Sequence, residues 1–567
     1  MKTTELIQGF FLLIKSYWTS EEKFKAVGLL VVILVLSFVL VECISMLAEW
    51  NNEFINALTN YDEGLFLPLI GKFLVILVFL LFSAVYSVYF RQFLQIRWRT
   101  WMTRKYLKLW MKNQNYYKLH NKTDNPDQRI SEDINLFIDL TLQLGIGFFQ
   151  NLATLIIFSV MLWNLSGSFE LEILGREIVI PGYMFWLVLI YSILGTILAH
   201  TVGKQLIPLT FEQQHYEADF RFSMMRVREN SESIAFYRGE KSELENFSFK
   251  FFDVVANFRA IMTKEKHING FTSIYSNATI FAPYIIAAPQ YFSKKITFGD
   301  LTQISVAFTQ VQNALSFFIN SYQSIASLMA VVQRLFVFMK NIEEVEKIES
   351  KVELGNADEF EISALNIFLP SGREILNNFS LKVKDAKAIL ITGSSGCGKS
   401  TLLRTLAGIW AYAEGKISLP QNSKVMFLPQ KPYLPLGNLK RVLAYPTPED
   451  DAPSNEEIFQ ALKMVGLPNL IDKLDIADDW SRILSGGEQQ RLAFARVILI
   501  KPNYIFLDEA TSALDEPREL EMYELLKKVL PNATIISVGH RSTLYQVHDT
   551  ELKLDGNGNW GTREILM

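Results

Sequence analysis

The first half of the chain carries a series of apolar stretches, and these restrict its fold more than any other feature. Four of them approach the roughly 20 apolar residues that a helix needs to cross a bilayer, and they occupy residues 26–48, 66–90, 142–165 and 183–202. Backbone polar groups in lipid must be paired within their own segment, so such stretches form helices. Two more, at 271–292 and 301–328, contain more Gln, Asn and Ser. We include both and predict six membrane-spanning helices.

Basic residues give these helices a direction. The stretch 91–129 holds ten Lys and Arg residues, whereas 49–63 holds none. Loops rich in Lys and Arg stay in the cytosol, so we predict that both termini lie there. A helix lying on membrane lipid, or docked on the bundle, is predicted before the first span. Its apolar residues are Ile7, Phe10, Phe11, Ile14 and Trp18.

Composition predicts a membrane part joined to a soluble part. Half of the 567 residues are hydrophobic, yet 20% are charged. The net charge of −4 argues against a nucleic-acid partner, because phosphate backbones are bound by basic surfaces. Cys43 and Cys397 are the two cysteines of the sequence, and they favour a reducing setting without disulfides.

A phosphate-binding loop marks the soluble part. From residue 360 onward, strand-like and helical runs alternate, as in an α/β nucleotide-binding domain. After a buried strand at 388–392, glycines let backbone N–H groups face the phosphates of a nucleotide, Lys399 reaches the β- and γ-phosphates, and Ser400 is a ligand for Mg²⁺. The predicted nucleotide-binding residues of this loop are Gly393, Ser394, Ser395, Gly396, Cys397, Gly398, Lys399, Ser400 and Thr401.

A second buried strand ends in two acids. Asp508 is placed to face the magnesium ion, and Glu509 to polarise a water molecule. A carboxylate beside the γ-phosphate can accept the proton of that water as it attacks. We therefore predict Glu509 as the general base. The alternative is a degenerate site in which Glu509 only supports its loop.

The segment Leu484–Arg491 resembles the signature of ATP-binding cassette (ABC) proteins. In that family the signature closes on nucleotide held by a second copy of the domain, so the resemblance implies that Ser485, Gly486 and Gly487 bind ATP of a partner chain. Gln430 resembles the Q-loop glutamine, which can touch Mg²⁺ or the attacking water. His540 resembles the switch histidine at the γ-phosphate, and Ser512–Asp515 resembles the D-loop. For adenine, Phe368 lies near the expected aromatic position, one residue out of register.

The membrane half narrows the family. Residues Glu229–Glu240 look like the cytoplasmic EAA-type motif of peroxisomal D-subfamily half-transporters. Residues Asn51–Phe54, Asp124–Ile130, Ala287–Phe292 and Ser537–Leu544 look more like the bacterial branch of that subfamily. This branch includes transporters linked to cobalamin, bleomycin and antimicrobial peptides, and its membrane domain is similar to the BacA/SbmA peptide transporters.

The resemblance implies an exporter-type bundle of six transmembrane helices followed by an α/β P-loop ABC ATPase domain. The membrane domain would take residues 1–345 and the ATPase domain residues 346–567, assembled as a homodimer in the bacterial inner membrane. Its expected function is ATP-driven movement of a hydrophilic or amphipathic solute, with import favoured. Export of acyl-type or drug-like compounds is the alternative, and a non-transporting regulatory membrane ATPase is an alternative of another class.

Two polar features of the predicted spans stay open at this stage. Spacings of 7, 3, 4, 3 and 4 place six residues on one face of the sixth span, which would line a hydrated cavity or form hydrogen bonds between helices. These residues are Gln303, Gln310, Asn313, Phe317, Asn320 and Ser324. Glu42 lies near the end of the first span, where a carboxylate has either a transport role or access to the headgroup region.

Overall fold

The structure, a computed structural model, describes residues 3–119, 125–173, 176–347, 350–383, 387–448 and 451–565. The chain forms two compact units. The first comprises residues 1–112 and 122–342, and the second comprises 113–121 and 343–567. Asp124 of the predicted Asp124–Ile130 motif lies outside the described residues.

Helices build nearly all of the first unit. They are α1 (Thr3–Trp18), α2 (Lys23–Thr59), α3 (Glu63–Met111), α5 (Pro126–Gln128), α6 (Ile134–Ser166), α7 (Tyr183–Gly203), α8 (Leu206–Glu229), α9 (Ser231–Tyr237), α10 (Glu240–Phe292), α11 (Phe298–Leu315), α12 (Phe317–Asn320) and α13 (Tyr322–Glu346), while α4 (Asn115–Lys118) falls in the second unit. Strands β1 (Ser168–Ile173) and β2 (Arg176–Pro181) form an antiparallel hairpin between α6 and α7.

Five helical segments of the described residues are long and apolar enough to cross a membrane: Lys23–Thr59, Glu63–Lys118, Pro126–Ser166, Tyr183–Glu229 and Tyr322–Glu346. The first four contain the first four predicted spans. Residues 271–292 lie within helix α10, but neither they nor α11 reach the apolar character of the other five. The count of six spans therefore stays a prediction.

Long helices extend well past the thickness of a bilayer. Helix α3 has 49 residues and α10 has 53, so at about 1.5 Å per residue each exceeds the roughly 30 Å hydrocarbon core more than twofold. Helices α8 and α10 pack together, and Asn257 Nδ2 donates to Leu209 O and Gln213 Oε1, both at 2.9 Å. The short helix α9 joins them and exposes Phe236 and Tyr237 at 80% and 86%.

The polar face predicted for the sixth span is divided among three helices, because single-residue turns at Ser316 and Ser321 interrupt the run. Gln303 is buried and accepts a 2.5 Å hydrogen bond from Asn52 Nδ2 on α2. At this position the polar residue therefore forms a hydrogen bond between helices. Asn313 and Asn320 are exposed. The predicted face is thus part helix contact and part open surface. Glu42 is half-buried on α2.

The described residues of the second unit form an α/β domain with a six-stranded sheet, a four-stranded sheet and the two-stranded pair β9–β10. Its strands are β3 (Lys351–Asn356), β4 (Phe360–Phe368), β5 (Glu374–Val383), β6 (Ala388–Gly393), β7 (Ala413–Leu419), β8 (Val425–Leu428), β9 (Gly437–Asn438), β10 (Ala477–Asp478), β11 (Tyr504–Asp508), β12 (Thr534–Val538), β13 (Thr550–Leu554) and β14 (Trp560–Glu564). Its later helices are α14 (Lys399–Leu406), α15 (Leu439–Ala444), α16 (Asn455–Met464), α17 (Trp480–Ile483), α18 (Gly486–Ile500) and α19 (Glu516–Val529).

The larger sheet positions the functional loops. Its order is β14-β13-β6-β12-β11-β8, and all pairs from β13 to β8 are parallel. Strands β6, β11 and β12 are nearly all buried, as expected for the centre of a parallel sheet. The carboxyl ends of parallel strands meet at one edge, which is where α/β sheets bind their ligands.

Candidate functional site: a nucleotide-binding edge of the sheet

The phosphate loop follows β6 directly and leads into α14. Gly393 and Gly398 have φ angles of 144° and 104°, in the region that favours glycine. A Cβ at Gly393 would lie 2.4 Å from Leu554 O, and one at Gly398 would lie 2.2 Å from Ile375 Cγ2. The loop therefore needs glycine for space as well as for conformation. Cys397 is buried beneath it, while Ser394, Ser395 and Gly396 are exposed.

The predicted phosphate and metal ligands come together at the start of α14. Lys399 Nζ donates to Gly393 O at 2.9 Å and to Ser394 O at 3.1 Å. Ser400 Oγ donates to Asp508 Oδ1 at 3.2 Å. Thr401, also half-buried, follows them in the first turn, where the positive end of the helix dipole favours an anion.

This oxygen pair fits a magnesium ion. Burial raises the pKa of the Asp508 carboxyl, and the neighbouring charge of Glu509 raises it further. A bound cation would relieve both effects, and Mg²⁺ prefers hydroxyl, carboxylate and phosphate oxygens. Among the described residues no three His, Cys, Asp or Glu side chains gather into a complete metal site, so phosphate oxygens and water would supply the remaining ligands.

The three predicted catalytic side chains converge beside Asp508. Gln430 Nε2 donates to Glu509 Oε2 at 3.2 Å, and His540 Nδ1 lies 3.9 Å from Glu509 Oε1. Glu509 has a φ of 47°, a left-handed backbone that is strained for a non-glycine residue. Its N–H donates to Val538 O at 3.1 Å, which holds the turn in place. The side chain is 29% exposed, open enough to meet a water molecule.

Gln490 connects three of the functional loops, a role that the sequence analysis missed. Its Nε2 donates to Gln430 O and to Ser512 Oγ, both at 3.1 Å. Its Oε1 accepts from Ala513 N at 2.9 Å. The Gln490 side chain is 2% exposed, so it supports these more exposed loops from the buried side. The Q-loop, the signature helix and the D-loop are thereby tied to one amide.

We expect Gln490→Leu to lower the maximal ATPase rate about ten-fold while changing ATP affinity little. Leucine removes all three hydrogen bonds, each of which contributes about 0.5–1.5 kcal/mol. The lost bonds support the loops that place Gln430 and do not involve the phosphate loop, so hydrolysis should suffer more than ATP binding. Steady-state hydrolysis together with nucleotide binding measures both quantities. Gln546→Leu, at an exposed position, is the control; equal loss in both variants would contradict the role of Gln490.

The signature residues begin helix α18. Ser485 is its N-cap, with Ser485 Oγ donating to Glu488 Oε2 at 2.7 Å and Glu488 N donating back to Ser485 Oγ at 3.4 Å. The bond from Ser485 Oγ, together with a 2.9 Å bond from Ser485 N to the same Oε2, lowers the pKa of the Glu488 carboxyl. Gly486 and Gly487 lie against Ala513 of the D-loop. Within the described chain, no hydrogen bond or ion pair joins these three signature residues to the phosphate loop.

Arg541 fixes the D-loop from the other side. Its Nη1 donates to Leu514 O at 2.7 Å and its Nη2 to Ser512 O at 3.1 Å. Buried Glu519 lies 3.7 Å from the same guanidinium and accepts a hydrogen bond from Thr543 Oγ at 2.7 Å. The arginine next to the predicted switch histidine was a signal for this contact, but its partners are backbone carbonyls that no motif marks.

His548 makes the folding stability of this domain depend on pH. Its Nδ1 donates to Leu544 O at 2.7 Å, which leaves Nε2 to accept from Ser537 Oγ at 2.9 Å. Burial lowers its pKa from 6.5 to about 4. Between these values the unfolded chain binds a proton that the folded chain does not, so stability falls as pH drops through this window, by up to about 3 kcal/mol.

We therefore expect the thermal unfolding midpoint of the ATPase domain to fall as pH is lowered from 7.5 to 5. In His548→Gln this fall should be clearly smaller, although the variant starts from a lower midpoint because a buried contact is lost. Calorimetry of the purified protein at several pH values measures both curves. Parallel curves for the two proteins would mean that His548 is not the responsible group.

The assignment of Phe368 as the residue that contacts adenine stays a prediction. Phe368 ends strand β4, is half-buried, and its carbonyl accepts a 3.0 Å hydrogen bond from Trp410 Nε1. Tyr412 is a neighbour of Phe368, because Phe368 N donates to Tyr412 O at 2.9 Å. Tyr412 is 39% exposed. Either ring offers an aromatic surface at this end of the smaller sheet.

A P-loop ATPase unit in one chain with several helices of membrane length defines an ATP-driven, multi-pass membrane protein. Comparison with known families narrows this class. Residues 13–292 match the model of ABC transporter transmembrane region 2, and residues 376–512 match the ABC transporter ATPase model. The chain belongs to the ABC transporter family. It binds ATP and couples ATP hydrolysis to transport.

The relatives extend over the whole chain. An uncharacterized ABC transporter ATP-binding protein of Haemophilus influenzae is 37% identical over 99% of this chain and 94% of its own length. The inner membrane ABC transporter ATP-binding protein YddA of Escherichia coli is 35% identical over 96% of this chain and 97% of its own. The human lysosomal cobalamin transporter ABCD4 is 28% identical over 99% and 96%. The predicted relationship to bacterial and D-subfamily half-transporters is thus confirmed.

Proposed function

We propose that this half-transporter works as a homodimer with two composite ATP sites. Lys399 and Ser400 of one copy would face Ser485 and Gly487 of the other, with Mg²⁺ held by Ser400, Asp508 and, through its amide oxygen, Gln430. The observation that carries the proposal is that, among the described residues, no hydrogen bond or ion pair joins the signature to the phosphate loop of the same chain. Nucleotide binding would favour the closed dimer, and the membrane helices would follow this closure.

The proposed solute is hydrophilic or amphipathic, such as a corrinoid or a peptide, and the proposed direction is import across a bacterial inner membrane. Full-length similarity to the human lysosomal cobalamin transporter supports the corrinoid, and the inner membrane protein of Escherichia coli supports the location. We place both termini and the ATPase domain in the cytosol because of the ten basic residues between 91 and 129.

Helix α9 is the proposed site of force transmission in the membrane domain, residues 1–345. It lies at the end of the α8–α10 pair within the Glu229–Glu240 motif. Exposed Phe236 and Tyr237 offer an apolar contact surface there, and monomeric proteins leave few such clusters without a partner. Residues Asp124–Arg129, of which 125–129 are described, are the proposed second force-transmitting segment, and residues 346–567 are the proposed ATPase domain.

Transport in both directions tests this proposal. The purified protein is reconstituted into liposomes, and isotope-labelled cobalamin or peptide is followed into and out of the vesicles in the presence of ATP. We expect ATP-dependent movement that is absent in Glu509→Gln. Accumulation on the side that carries the ATPase domain means import, and the opposite result means export. ATP hydrolysis without movement of any solute would favour the regulatory ATPase instead.

A further inference from the structure

A polar cavity lies within the helical unit, between α3, α6 and the interrupted run at α12. Its volume is about 330 Å³, at the lower end of the roughly 300–1,000 Å³ of small-molecule pockets. The polar residues of its wall are Ser87, Arg91, Gln143, Gln150 and Ser321. The remaining lining residues are Val88, Leu144, Ile146, Gly147 and Phe317. The cavity thus combines one cation, two amides and two hydroxyls with an apolar wall.

Arg91 is the unexplained group in this cavity. Its Nε is buried and has no hydrogen-bond partner among the described residues, and none of the described acids forms an ion pair with it. A guanidinium has five N–H donors and stays charged in proteins. The Arg91 side chain is half-buried, and a buried N–H such as that of Nε is costly to leave without a hydrogen bond. Arg91 directly follows the apolar stretch 66–90 and so lies at the predicted cytosolic end of the second span.

The wall around Arg91 is suited to a negative group. Its ten lining residues include no acid, so the charge of Arg91 is not compensated. Gln143, Gln150 and the two serines offer further N–H and O–H donors. Gly147 lets the ring of Phe317 close the cavity, since a Cβ there would lie 3.1 Å from Phe317 Cε2. A planar guanidinium binds carboxylate or phosphate through two parallel hydrogen bonds.

We propose that this cavity binds the carboxylate or phosphate group of an amphipathic ligand, with Arg91 as the anion-binding residue. The inference rests on the proposed transport function, because it assigns an acidic group to the solute. A phospholipid headgroup carries the same chemistry, and the two sources differ in whether the ligand comes from the aqueous phase or from the bilayer.

Two pairs of probes test the site, each pair matched except for charge. Naphthylacetate and naphthylacetamide, followed by fluorescence, represent an aqueous solute. Phosphatidylglycerol and phosphatidylcholine, followed by native mass spectrometry, represent the bilayer. Full-length protein is used without nucleotide. We expect the wild type to prefer the charged member of at least one pair about ten-fold or more, the effect of one charge-assisted hydrogen-bonded pair.

Variants identify the residue responsible. Arg91→Gln should remove the preference, and Arg91→Lys should keep part of it because the charge remains without the fork geometry. Arg104→Gln, an exposed arginine on the same helix, should leave the preference unchanged. If Arg91→Gln fails to fold in size-exclusion chromatography, Gln150→Leu must lower affinity for the charged probe while leaving the neutral one unchanged.

Three results would overturn the proposal: no charge preference in either pair, a preference that survives in folded Arg91→Gln, or equal loss in Arg104→Gln. A preference in the naphthyl pair identifies a solute site, and one confined to the lipid pair identifies a headgroup site. ATP hydrolysis is measured separately. If the protein hydrolyses ATP but shows no anion preference, only the proposed anion site is wrong. If it binds anions but its ATP hydrolysis is not coupled to transport, the proposed transport function is wrong.

Discussion

Replacing Glu509 by Gln should lower the ATPase rate by a factor of about 100 or more while leaving ATP binding intact. The amide cannot accept the proton of the attacking water, and a positioned general base contributes about 10²–10⁴ in rate. Gln keeps an oxygen that can accept the hydrogen bond from Gln430 Nε2, so the local fold should persist. Phosphate release and fluorescent nucleotide binding measure the two effects separately.

Glu524→Gln is the matched control, because Glu524 is an exposed glutamate on α19 of the same domain. It should retain the wild-type rate. If Glu509→Gln hydrolyses ATP at more than about a third of that rate, a base contribution of even ten-fold is ruled out, and Glu509 only supports its loop.

Mixed dimers of two inactive variants should recover activity. Lys399→Met removes a phosphate ligand, and Gly486→Asp places a negative charge on the signature surface that would face the γ-phosphate. Each variant alone should fall to the background rate. In a dimer with one chain of each kind, one site carries both defects and the other carries neither. We therefore expect about half of the wild-type rate from dimers purified through two different tags.

The structure suggests that Gly486→Asp will fold. Gly486 is the first residue of α18, and an acidic side chain at this position interacts favourably with the helix dipole. An added Cβ would meet Ala513 Cβ at 3.3 Å, which a small shift relieves. Gly486→Asn has nearly the same shape without the charge and should retain most of the activity. Failure to purify mixed dimers, or mixed dimers without activity, would contradict the composite site.

Local chemistry made the ATP site predictable from the sequence. A loop that needs glycine at Gly393 and Gly398, an amine that reaches phosphate, and two acids after a buried strand each have one dominant physical use. The structure places Ser400 beside Asp508 and places Gln430 and His540 beside Glu509. These residues are far apart in the chain, and the parallel order of β6, β12 and β11 brings their loops to one edge.

The connecting contacts could not be predicted in the same way. Gln490 and Arg541 act on backbone groups of other loops, and backbone carbonyls leave no trace in residue identity. The turns at Ser316 and Ser321 also escaped prediction, because neither proline nor glycine marks them. The prediction from residue spacing assumed one continuous helix over 301–328. It therefore placed Gln303, which is buried, and Asn320, which is exposed, on the same face.

Lys399 also stabilises its own loop, because its ammonium group donates to the carbonyls of Gly393 and Ser394. These bonds use two of the three N–H donors of the ammonium group, so a triphosphate takes the third or displaces a carbonyl. The measured affinity is consequently the difference between two sets of contacts, and Lys399→Met erases both. The affinity lost in that variant is therefore not a direct measure of the strength of the lysine–phosphate bond.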